Sequence, residues 1–240
     1  MDVSAFFELH KDLPREGPGR PEDVAWALGV AGVKPGARVL DAGCGPGADI
    51  APLLLATAPG GHVTAIETHA PFVERAARRW GRDSRVTLIQ DDMAAAEGPF
   101  DVIWCAGALY FLGLRAGLEI MRGKLAPGGL LCFSELVFRV PQPPAPVREA
   151  LEAEYPAIGT VGRLNGIIEA EGFEIAAQKM LPRASWEAYY GPLEQHIATL
   201  RAGADPALCA VLDAAEAEAA LWRANNDTFG YALSVLRARP

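Results

Sequence analysis

The 240-residue sequence contains few residues that bind metals or form disulfides, with only four cysteines and four histidines. The cysteines are widely separated and include no C-x-x-C pair of the kind found in zinc and redox sites. Cys105 and Cys132 lie within apolar segments, where a reduced thiol behaves as a small hydrophobic side chain. The histidines show no metal-ligand spacing either. The sequence therefore predicts no metal site.

Positive charge and long apolar segments are scarce as well. There are 22 Lys and Arg against 30 Asp and Glu, a net charge of −8, whereas nucleic-acid-binding proteins need a basic patch. The longest apolar segment, residues 50–58, is interrupted by Pro52 and Thr57 and is much shorter than the ~18 residues of a membrane span. The first residues lack the basic and apolar regions of a signal peptide. We therefore expect a cytoplasmic protein that binds neither nucleic acid nor membrane.

Apolar segments alternate with helical segments between residues 37 and 135, and half of all residues are hydrophobic. Near-continuous apolarity is typical of parallel strands that are covered on both faces. The predicted strands are 37–43, 62–67, 85–90, 100–106 and 129–135, and the predicted helices are 48–58, 70–80, 93–97 and 113–125. This alternation predicts an α/β fold with a doubly wound, mostly parallel sheet.

The second half of the chain departs from this alternation. The segment RVPQPPAPV (139–147) has too much proline for a strand or a helix, so we predict a linker or the base of a lid. Residues 173–181 and 228–237 are predicted strands. The segment between them has a mostly helical pattern, and residues 183–227 are predicted to form a helical insert that packs over the sheet edge.

A glycine-rich loop, VLDAGCGPG (39–47), ends the first predicted strand and opens the first helix. Its glycines allow positive φ angles and a close approach of the main chain to a ligand at the carboxyl end of the sheet. A dinucleotide site has the spacing G-x-G-x-x-G, but here the third glycine, Gly47, comes one residue early. Asp41 precedes the loop and suits a ligand with an ammonium and a sulfonium better than a pyrophosphate.

The ends of the next strands carry residues that suit an adenosine. Glu67 ends the second strand, 24 residues after Gly43, where a carboxylate can accept hydrogen bonds from both ribose hydroxyls. Asp92 follows the third strand and can accept from an adenine amino group, while Met93 can pack against the ring. Ala106 follows the fourth strand and leaves room for the purine.

The segments VLDAGCGPG, AIE, QDDM, FDVIWCAGALYFL and KLAPGGLL together resemble the class I S-adenosylmethionine-dependent methyltransferases over residues 36–135. The resemblance implies a Rossmann-like sheet of seven strands whose last two, 173–181 and 228–237, form a reversed hairpin. It implies S-adenosyl-L-methionine as cofactor. The cofactor-binding residues that it implies are Asp41, Gly43, Cys44, Gly45, Glu67, Thr68, Asp92, Met93 and Ala106.

The flanking segments LPREGPG (13–19) and SWEAYY (185–190) are similar to a bacterial branch that acts on small molecules, in which the N-terminal segment closes over the cofactor. Trp186, Tyr189 and Tyr190 are then a substrate-pocket wall or, alternatively, ordinary packing between insert and core. The candidate catalytic bases are Tyr110, Glu135 and His196.

We accordingly expect one structural domain with five parts. These are an N-terminal helical cover (1–35), a cofactor-binding core (36–138), a linker, helix and sixth strand (139–182), a helical insert or lid (183–227) and the last strand (228–240). The expected function is in-line methyl transfer to a small-molecule acceptor by a monomer or homodimer. An NAD(P)-dependent oxidoreductase and a non-catalytic S-adenosylmethionine-binding protein remain as alternatives.

Overall fold

A computed structural model describes residues 2–239 and contains one central sheet. Its strands are β1 (Arg38–Ala42), β2 (His62–Glu67), β3 (Val86–Gln90), β4 (Phe100–Ala106), β5 (Leu125–Phe138), β6 (Gly159–Thr160), β7 (Phe173–Met180) and β8 (Phe229–Ala238). They lie in the order β3-β2-β1-β4-β5-β8-β7, with the two-residue β6 paired to the end of β5. Strands β1 to β5 are parallel, whereas β8 is antiparallel to both β5 and β7. The predicted sheet with a reversed last hairpin is confirmed.

Nine α-helices occur within residues 2–239. They are α1 (Val3–His10), α2 (Pro21–Ala31), α3 (Ile50–Ala56), α4 (Ala70–Trp80), α5 (Leu114–Lys124), α6 (Ala145–Glu154), α7 (Val161–Ala170), α8 (Arg183–Leu200) and α9 (Pro206–Asn225). None of these helices combines the length and the apolar character that crossing a membrane requires.

The two faces of the sheet carry separate hydrophobic cores because the side chains of each strand alternate between them. On β5, Leu130 and Cys132 belong to the core that α1, α2, α3, α8 and α9 cover. Leu131 and Phe133 belong to the core on the other face, which α5 and α7 cover. All four side chains are buried, so both faces of β5 are shielded from water, as its apolar sequence predicts.

One strand prediction differs markedly from the structure in extent, and one short strand was not predicted. Strand β5 begins at Leu125 and continues to Phe138, beyond the predicted 129–135. The extension arises because β8 pairs with β5 up to Phe138↔Phe229, and β6 pairs with Val137 and Phe138 on the other side. Strand β6 has only two residues, too few to show a periodic pattern, so residues 139–182 contain two helices and two strands instead of the predicted single helix and strand.

The linker prediction for 139–147 and the helix prediction for 93–97 were also wrong in detail. The proline-rich segment 139–147 ends in the first turn of α6, with Pro144 as N-cap and Pro146 in the first turn, where a proline costs no helical hydrogen bond. Residues 93–97 form a short 3₁₀ turn, Met93–Ala95, instead of an α-helix. The Asp92 carboxylate caps this turn by accepting from the Ala94 amide at 2.7 Å.

The helices of the insert, α8 and α9, are held together by aromatic and ionic contacts. The rings of Trp186 and Trp222 stack with centroids 4.8 Å apart, and both side chains are buried. Arg223 on α9 lies between two carboxylates of α8, at 2.7 Å from Glu187 and 2.5 Å from Glu194. The insert therefore packs as one layer over the sheet face that carries Leu130 and Cys132.

Candidate functional site

The glycine loop turns sharply at the end of β1 and is held against β2. The amides of Gly43 and Cys44 both donate to the carbonyl oxygen of Ile66, at 3.0 and 3.1 Å. Gly43 has φ +72°, and a Cβ atom there would lie 2.6 Å from the Cβ of Ala108. A side chain at this position is therefore excluded twice, by backbone conformation and by space. Such a bare main chain is what a closely bound ligand needs.

Gly43→Ala is expected to destabilise the protein by about 1–3 kcal/mol more than Gly128→Ala, because only the first substitution adds a clash to an unfavourable φ. Gly128 has φ +76° but no atom within 4 Å of an added Cβ, so it controls for the backbone effect alone. Urea denaturation of both variants measures the difference. Equal losses would show that the loop can shift to accommodate a methyl group.

Asp41 is a buried carboxylate directly below the loop. Only 3% of the residue is exposed, and its Oδ2 atom has no hydrogen-bond partner. Burial raises the pKa of Asp41 well above its usual value, and the nearby carboxylates of Asp49 and Glu67 raise it further. Asp49 itself accepts from the Trp104 indole at 3.0 Å. An acceptor atom that the chain leaves unsatisfied in this position favours a cationic ligand group above it.

Glu67 links β2 to the glycine loop. Its Oε2 atom accepts from the Gly45 amide at 3.0 Å, and its Oε1 atom accepts from the His69 amide at 2.8 Å and the Thr68 hydroxyl at 3.2 Å. Thr68 is exposed, and it contacts the site through the hydrogen bond that its hydroxyl donates to the Glu67 side chain. The carboxylate thus lies at the mouth of the loop, and its ribose contact stays a prediction.

The other residues predicted to bind the cofactor differ in their burial and in how closely they approach the same loop. Met93 is buried, with its Cε atom 3.4 Å from the position of a Cβ on Gly43, whereas Asp92 is exposed and caps the turn that Met93 begins. Ala106 ends β4 at the carboxyl edge of the sheet. Burial raises the pKa of the Cys44 thiol well above its usual value, so Cys44 fills space and is not a thiolate nucleophile.

Residues 11–19, named here the strap, run across the loop from the N-terminal side. Glu16 lies over Gly45, with its Cγ atom 3.4 Å from the position of a Cβ there, and Arg15 reaches Asp49 at 3.4 Å. The Arg75 guanidinium fixes the start of the strap by donating to the carbonyl oxygens of residues 11 and 12 at 3.0 and 2.8 Å. The Gly19 amide fixes its end by donating to residue 185 of α8 at 3.0 Å. Arg15 and Glu16 were not predicted as site residues.

Trp80, the last residue of α4, holds the far end of the glycine loop. Its indole nitrogen donates to the Gly47 carbonyl oxygen at 3.2 Å, and the Arg79 guanidinium lies 4.9 Å from its ring centroid. Gly47 has φ +79°, and a Cβ on it would lie 3.1 Å from the Trp80 ring. The loop is therefore fixed at both ends by side chains from other elements.

A second group of polar side chains lies at the carboxyl ends of β4 and β5. We name it the tyrosine cleft, and it consists of Tyr110, Tyr155, Glu135 and Tyr231. Tyr231 lies next to the end of β4: its hydroxyl is 3.6 Å from the position of a Cβ on Gly107. The rings of Tyr110 and Tyr155 are 5.6 Å apart.

Glu135 on β5 carries the unusual carboxylate of this cleft. The Tyr155 hydroxyl donates to its Oε1 atom at 2.5 Å, while its Oε2 atom has no partner, although the residue is only 3% exposed. Burial raises the pKa of Glu135 from its ordinary 4.5 to about 7. Burial and the charge of Glu135 raise the pKa of Tyr110 to about 12. Glu135 is therefore the side chain here that can exchange a proton near neutral pH.

Glu135→Gln is expected to stabilise the protein by up to about 3 kcal/mol at pH 8, and by much less at pH 5. The raised pKa means that the folded state keeps its proton longer than the unfolded state. Wild-type stability is therefore fully present below pH 4.5 and is lost as the pH rises to about 7. Chemical denaturation at the two pH values, with Glu149→Gln on the exposed face of α6 as control, measures the effect. A gain independent of pH would contradict the burial cost.

Glu218 on α9 is an exposed residue that joins the two helices of the insert. It accepts from the Tyr190 hydroxyl of α8 at 2.9 Å. Its charge also acts on Tyr110 and Tyr189 and raises the pKa of each, although burial is the larger cause in both cases. Neither Glu218 nor Tyr155 was predicted, because no local motif marks either residue.

Two predicted residues have other contacts. The Nδ1 atom of His196 is 2.8 Å from the Leu9 carbonyl oxygen, so this ring joins α8 to α1 and is separate from the tyrosine cleft. Trp186 stacks on Trp222 and lines a different cavity of about 160 Å³ together with Arg139 and Arg183. Packing between insert and core thus accounts for Trp186, and Tyr189 and Tyr190 extend the same aromatic cluster.

Comparison with known proteins finds one matching family model and solved structures that share the fold. A family model described as a methyltransferase domain matches residues 39–129. A solved S-adenosylmethionine-dependent methyltransferase from Thiobacillus denitrificans, in complex with S-adenosyl-L-homocysteine, superposes with a TM-score of 0.84 over 100% of both chains. The two sequences are 24% identical, and this likeness shows the fold.

Two relatives are similar in sequence. The uncharacterized protein YjhP of Escherichia coli (strain K12) is 29% identical over 202 residues, which are 79% of this chain and 79% of YjhP. The ubiquinone biosynthesis O-methyltransferase of Xylella fastidiosa (strain 9a5c) is 38% identical over 111 residues, which are 42% of this chain and 42% of that enzyme. The latter match covers less than half of either chain.

Proposed function

Since the chain belongs to the class I S-adenosylmethionine-dependent methyltransferases, we propose that it transfers the methyl group to a small molecule held in the tyrosine cleft. The observation that carries this proposal is the cover over the site. The strap crosses the glycine loop, and the insert holds the end of the strap through the hydrogen bond from the Gly19 amide to residue 185 of α8. A small acceptor fits beneath such a cover more readily than a folded macromolecule.

The residues around the loop fit the cofactor. Gly43 gives a main chain free of side-chain atoms, and the unpartnered Oδ2 atom of Asp41 suits a cationic group. Glu67 presents both carboxylate oxygens at the mouth of the loop, where ribose hydroxyls can replace the amides that it now accepts from. The packing of Met93 against Gly43 leaves an apolar surface for the adenine ring.

When bound, S-adenosylmethionine supplies a methyl group on a sulfonium, a strong leaving group, so the chain has little covalent chemistry to perform. Its residues must orient the acceptor, exclude water and accept a proton where the acceptor carries one. Glu135 suits the last task because its pKa lies near 7. Tyr110 contributes a hydroxyl beside it, and the raised pKa of about 12 keeps that hydroxyl protonated as a donor.

Calorimetric titration with S-adenosylmethionine, S-adenosylhomocysteine and NAD tests the cofactor side of this proposal, and a transferase assay over amines, thiols, phenols and carboxylates tests the acceptor side. We expect micromolar binding of both adenosyl ligands, about 8 kcal/mol, and methylation of at least one small-molecule class. Binding of NAD alone would favour the oxidoreductase alternative. Binding of the adenosyl ligands with methylation of protein only, or with no turnover, would reject a small-molecule acceptor.

A further inference from the structure

The cavity that Trp186 lines at the base of the insert is named here the insert cavity. It has a volume of about 160 Å³ and lies where β5 and β7 end and β8 begins, against the first turn of α8 and the end of α9. Within residues 2–239, none of its lining residues belongs to the glycine loop, the strap or the tyrosine cleft. The residues assigned to methyl transfer therefore leave this cavity without a role.

Most of the wall of the insert cavity is apolar. Trp186, Trp222 and Phe229 are buried and line it. Gly230 on β8 adds no side chain, and a Cβ there would lie 3.3 Å from the Cε atom of Met180 and 3.9 Å from the Trp186 ring. The indole nitrogen of Trp222 has no hydrogen-bond partner, so the residues of the wall include a donor that the chain leaves unsatisfied. Since an interior cavity of ~150 Å³ can hold a benzene ring, there is room here for a small molecule with an apolar group.

Two guanidinium groups also line the cavity. Arg139 follows β5, its Cδ atom is 3.9 Å from the position of a Cβ on Gly230, and its guanidinium donates to the Asn226 carbonyl oxygen at 2.5 Å. Arg183 opens α8, and its Nε atom is 3.6 Å from Glu187, beyond normal hydrogen-bond range. Both arginines are exposed, and each guanidinium has five N–H donors, so most of these donors are available to a ligand.

The insert cavity is thus positively charged in an acidic protein. The chain has a net charge of −8, but no Asp or Glu within residues 2–239 lines this cavity. Helix α8 begins beside it with no acidic residue in the first turn and no side-chain capping bond from Pro182. The first amides of a helix have no partners within it, and the helix dipole disfavours a cation such as Arg183 at this end. A bound anion would offset these positive charges.

We propose that the insert cavity binds a small anion, a carboxylate or a phosphate monoester that carries an apolar group, through the guanidinium groups of Arg139 and Arg183. The planar guanidinium fork matches the oxygens of both kinds of anion. The apolar group then lies against Trp186 and Gly230, whereas a cationic ligand would meet two like charges. This site goes beyond the proposed function, because its residues are separate from those assigned to the cofactor and the acceptor.

Calorimetric titration of the full chain at low ionic strength tests this proposal. The probes are benzoate, phenyl phosphate, inorganic phosphate, benzyl alcohol and benzylamine. Benzoate or phenyl phosphate should bind about tenfold or more tightly than benzyl alcohol, with benzylamine weakest. Comparison of benzoate with phenyl phosphate identifies which anion the site prefers. The affinity should be unchanged when the chain is saturated with S-adenosylhomocysteine.

Three variants locate the binding. Arg139→Gln and Arg183→Gln should each weaken binding of the preferred anion about tenfold, because each removes a charged donor from the cavity. Gly230→Ala should weaken binding of the ring-bearing anions about fivefold or more, because the added methyl group takes up space inside the cavity. Arg78→Gln, which removes an exposed charge on α4, is the matched control and should leave every affinity unchanged.

Several outcomes would overturn the proposal. These are equal binding of the anions and the alcohol, tighter binding of the amine, no binding of either ring-bearing anion, or an anion affinity that neither arginine variant weakens. Loss of that affinity on saturation with S-adenosylhomocysteine would place the anion in the cofactor site instead. Phenyl phosphate that binds no more tightly than inorganic phosphate, with no effect of Gly230→Ala, would indicate a surface charge pair. If Arg139→Gln does not fold, as judged by circular dichroism, Arg183→Gln at the exposed start of α8 carries the test.

Discussion

Asp41→Asn is expected to weaken S-adenosylmethionine binding by about 3–5 kcal/mol, a factor of a hundred or more, because a cationic ligand group would lose its buried counter-charge. The same substitution should stabilise the cofactor-free protein by a few degrees in Tm, since an unpartnered charge is removed from the interior. Affinity and stability would then change in opposite directions. That combination identifies a residue whose charge serves a ligand.

The pH dependence gives the sign of the stability effect. Burial and the charges of Asp49 and Glu67 raise the pKa of Asp41 well above its usual value. The wild-type protein therefore loses stability as the pH rises, and the advantage of Asn is largest in alkaline solution. Calorimetry measures the affinity and thermal melting measures the stability, with Asp101→Asn, a partly exposed residue at the opposite end of β4, as control. Unchanged affinity would remove Asp41 from the cofactor site.

Glu67→Ala is expected to weaken S-adenosylhomocysteine binding by about 2–5 kcal/mol, because two ribose hydroxyls would be left without an acceptor. The loop should also loosen, since Glu67 accepts from the amides of Gly45 and His69. Glu67→Gln keeps one acceptor oxygen and should lose less affinity than Glu67→Ala. Calorimetric titration of both variants measures how much affinity is lost when one acceptor oxygen is kept and when both are removed.

Glu74→Ala is a matched control for Glu67→Ala, because Glu74 is an exposed carboxylate on the helix that follows β2. Its removal should leave the affinity for S-adenosylhomocysteine unchanged. An equal affinity in Glu67→Ala and wild type would overturn the position of the ribose and, with it, the orientation assumed for the cofactor above the sheet.

The sequence predicts the sheet well because its signals are local. Strands β2 and β4 have the predicted bounds, 62–67 and 100–106, since each is a short apolar segment with turn residues on both sides. The conformation of the glycine loop follows from the same local logic, because Gly43, Gly45 and Gly47 all adopt the positive φ angles that only glycine adopts readily.

The acceptor side could not be predicted in the same way, because its residues meet only through tertiary packing. Glu135 lies on β5, and Tyr155, which donates to it, follows α6 twenty residues later. Tyr155 follows a helix that the proline-rich sequence concealed. No local pattern distinguishes Glu135 from an exposed glutamate such as Glu149.

The hydrogen bond between Trp80 and Gly47 gives the loop a built-in optical reporter. Indole emission responds to local polarity and to nearby charge, and this indole contacts the loop carbonyl directly at 3.2 Å, with the Arg79 guanidinium beside its ring. Any movement of the loop on ligand entry must alter those surroundings. The arrival and departure of the cofactor can therefore be followed in real time by the intrinsic fluorescence of the unlabelled chain.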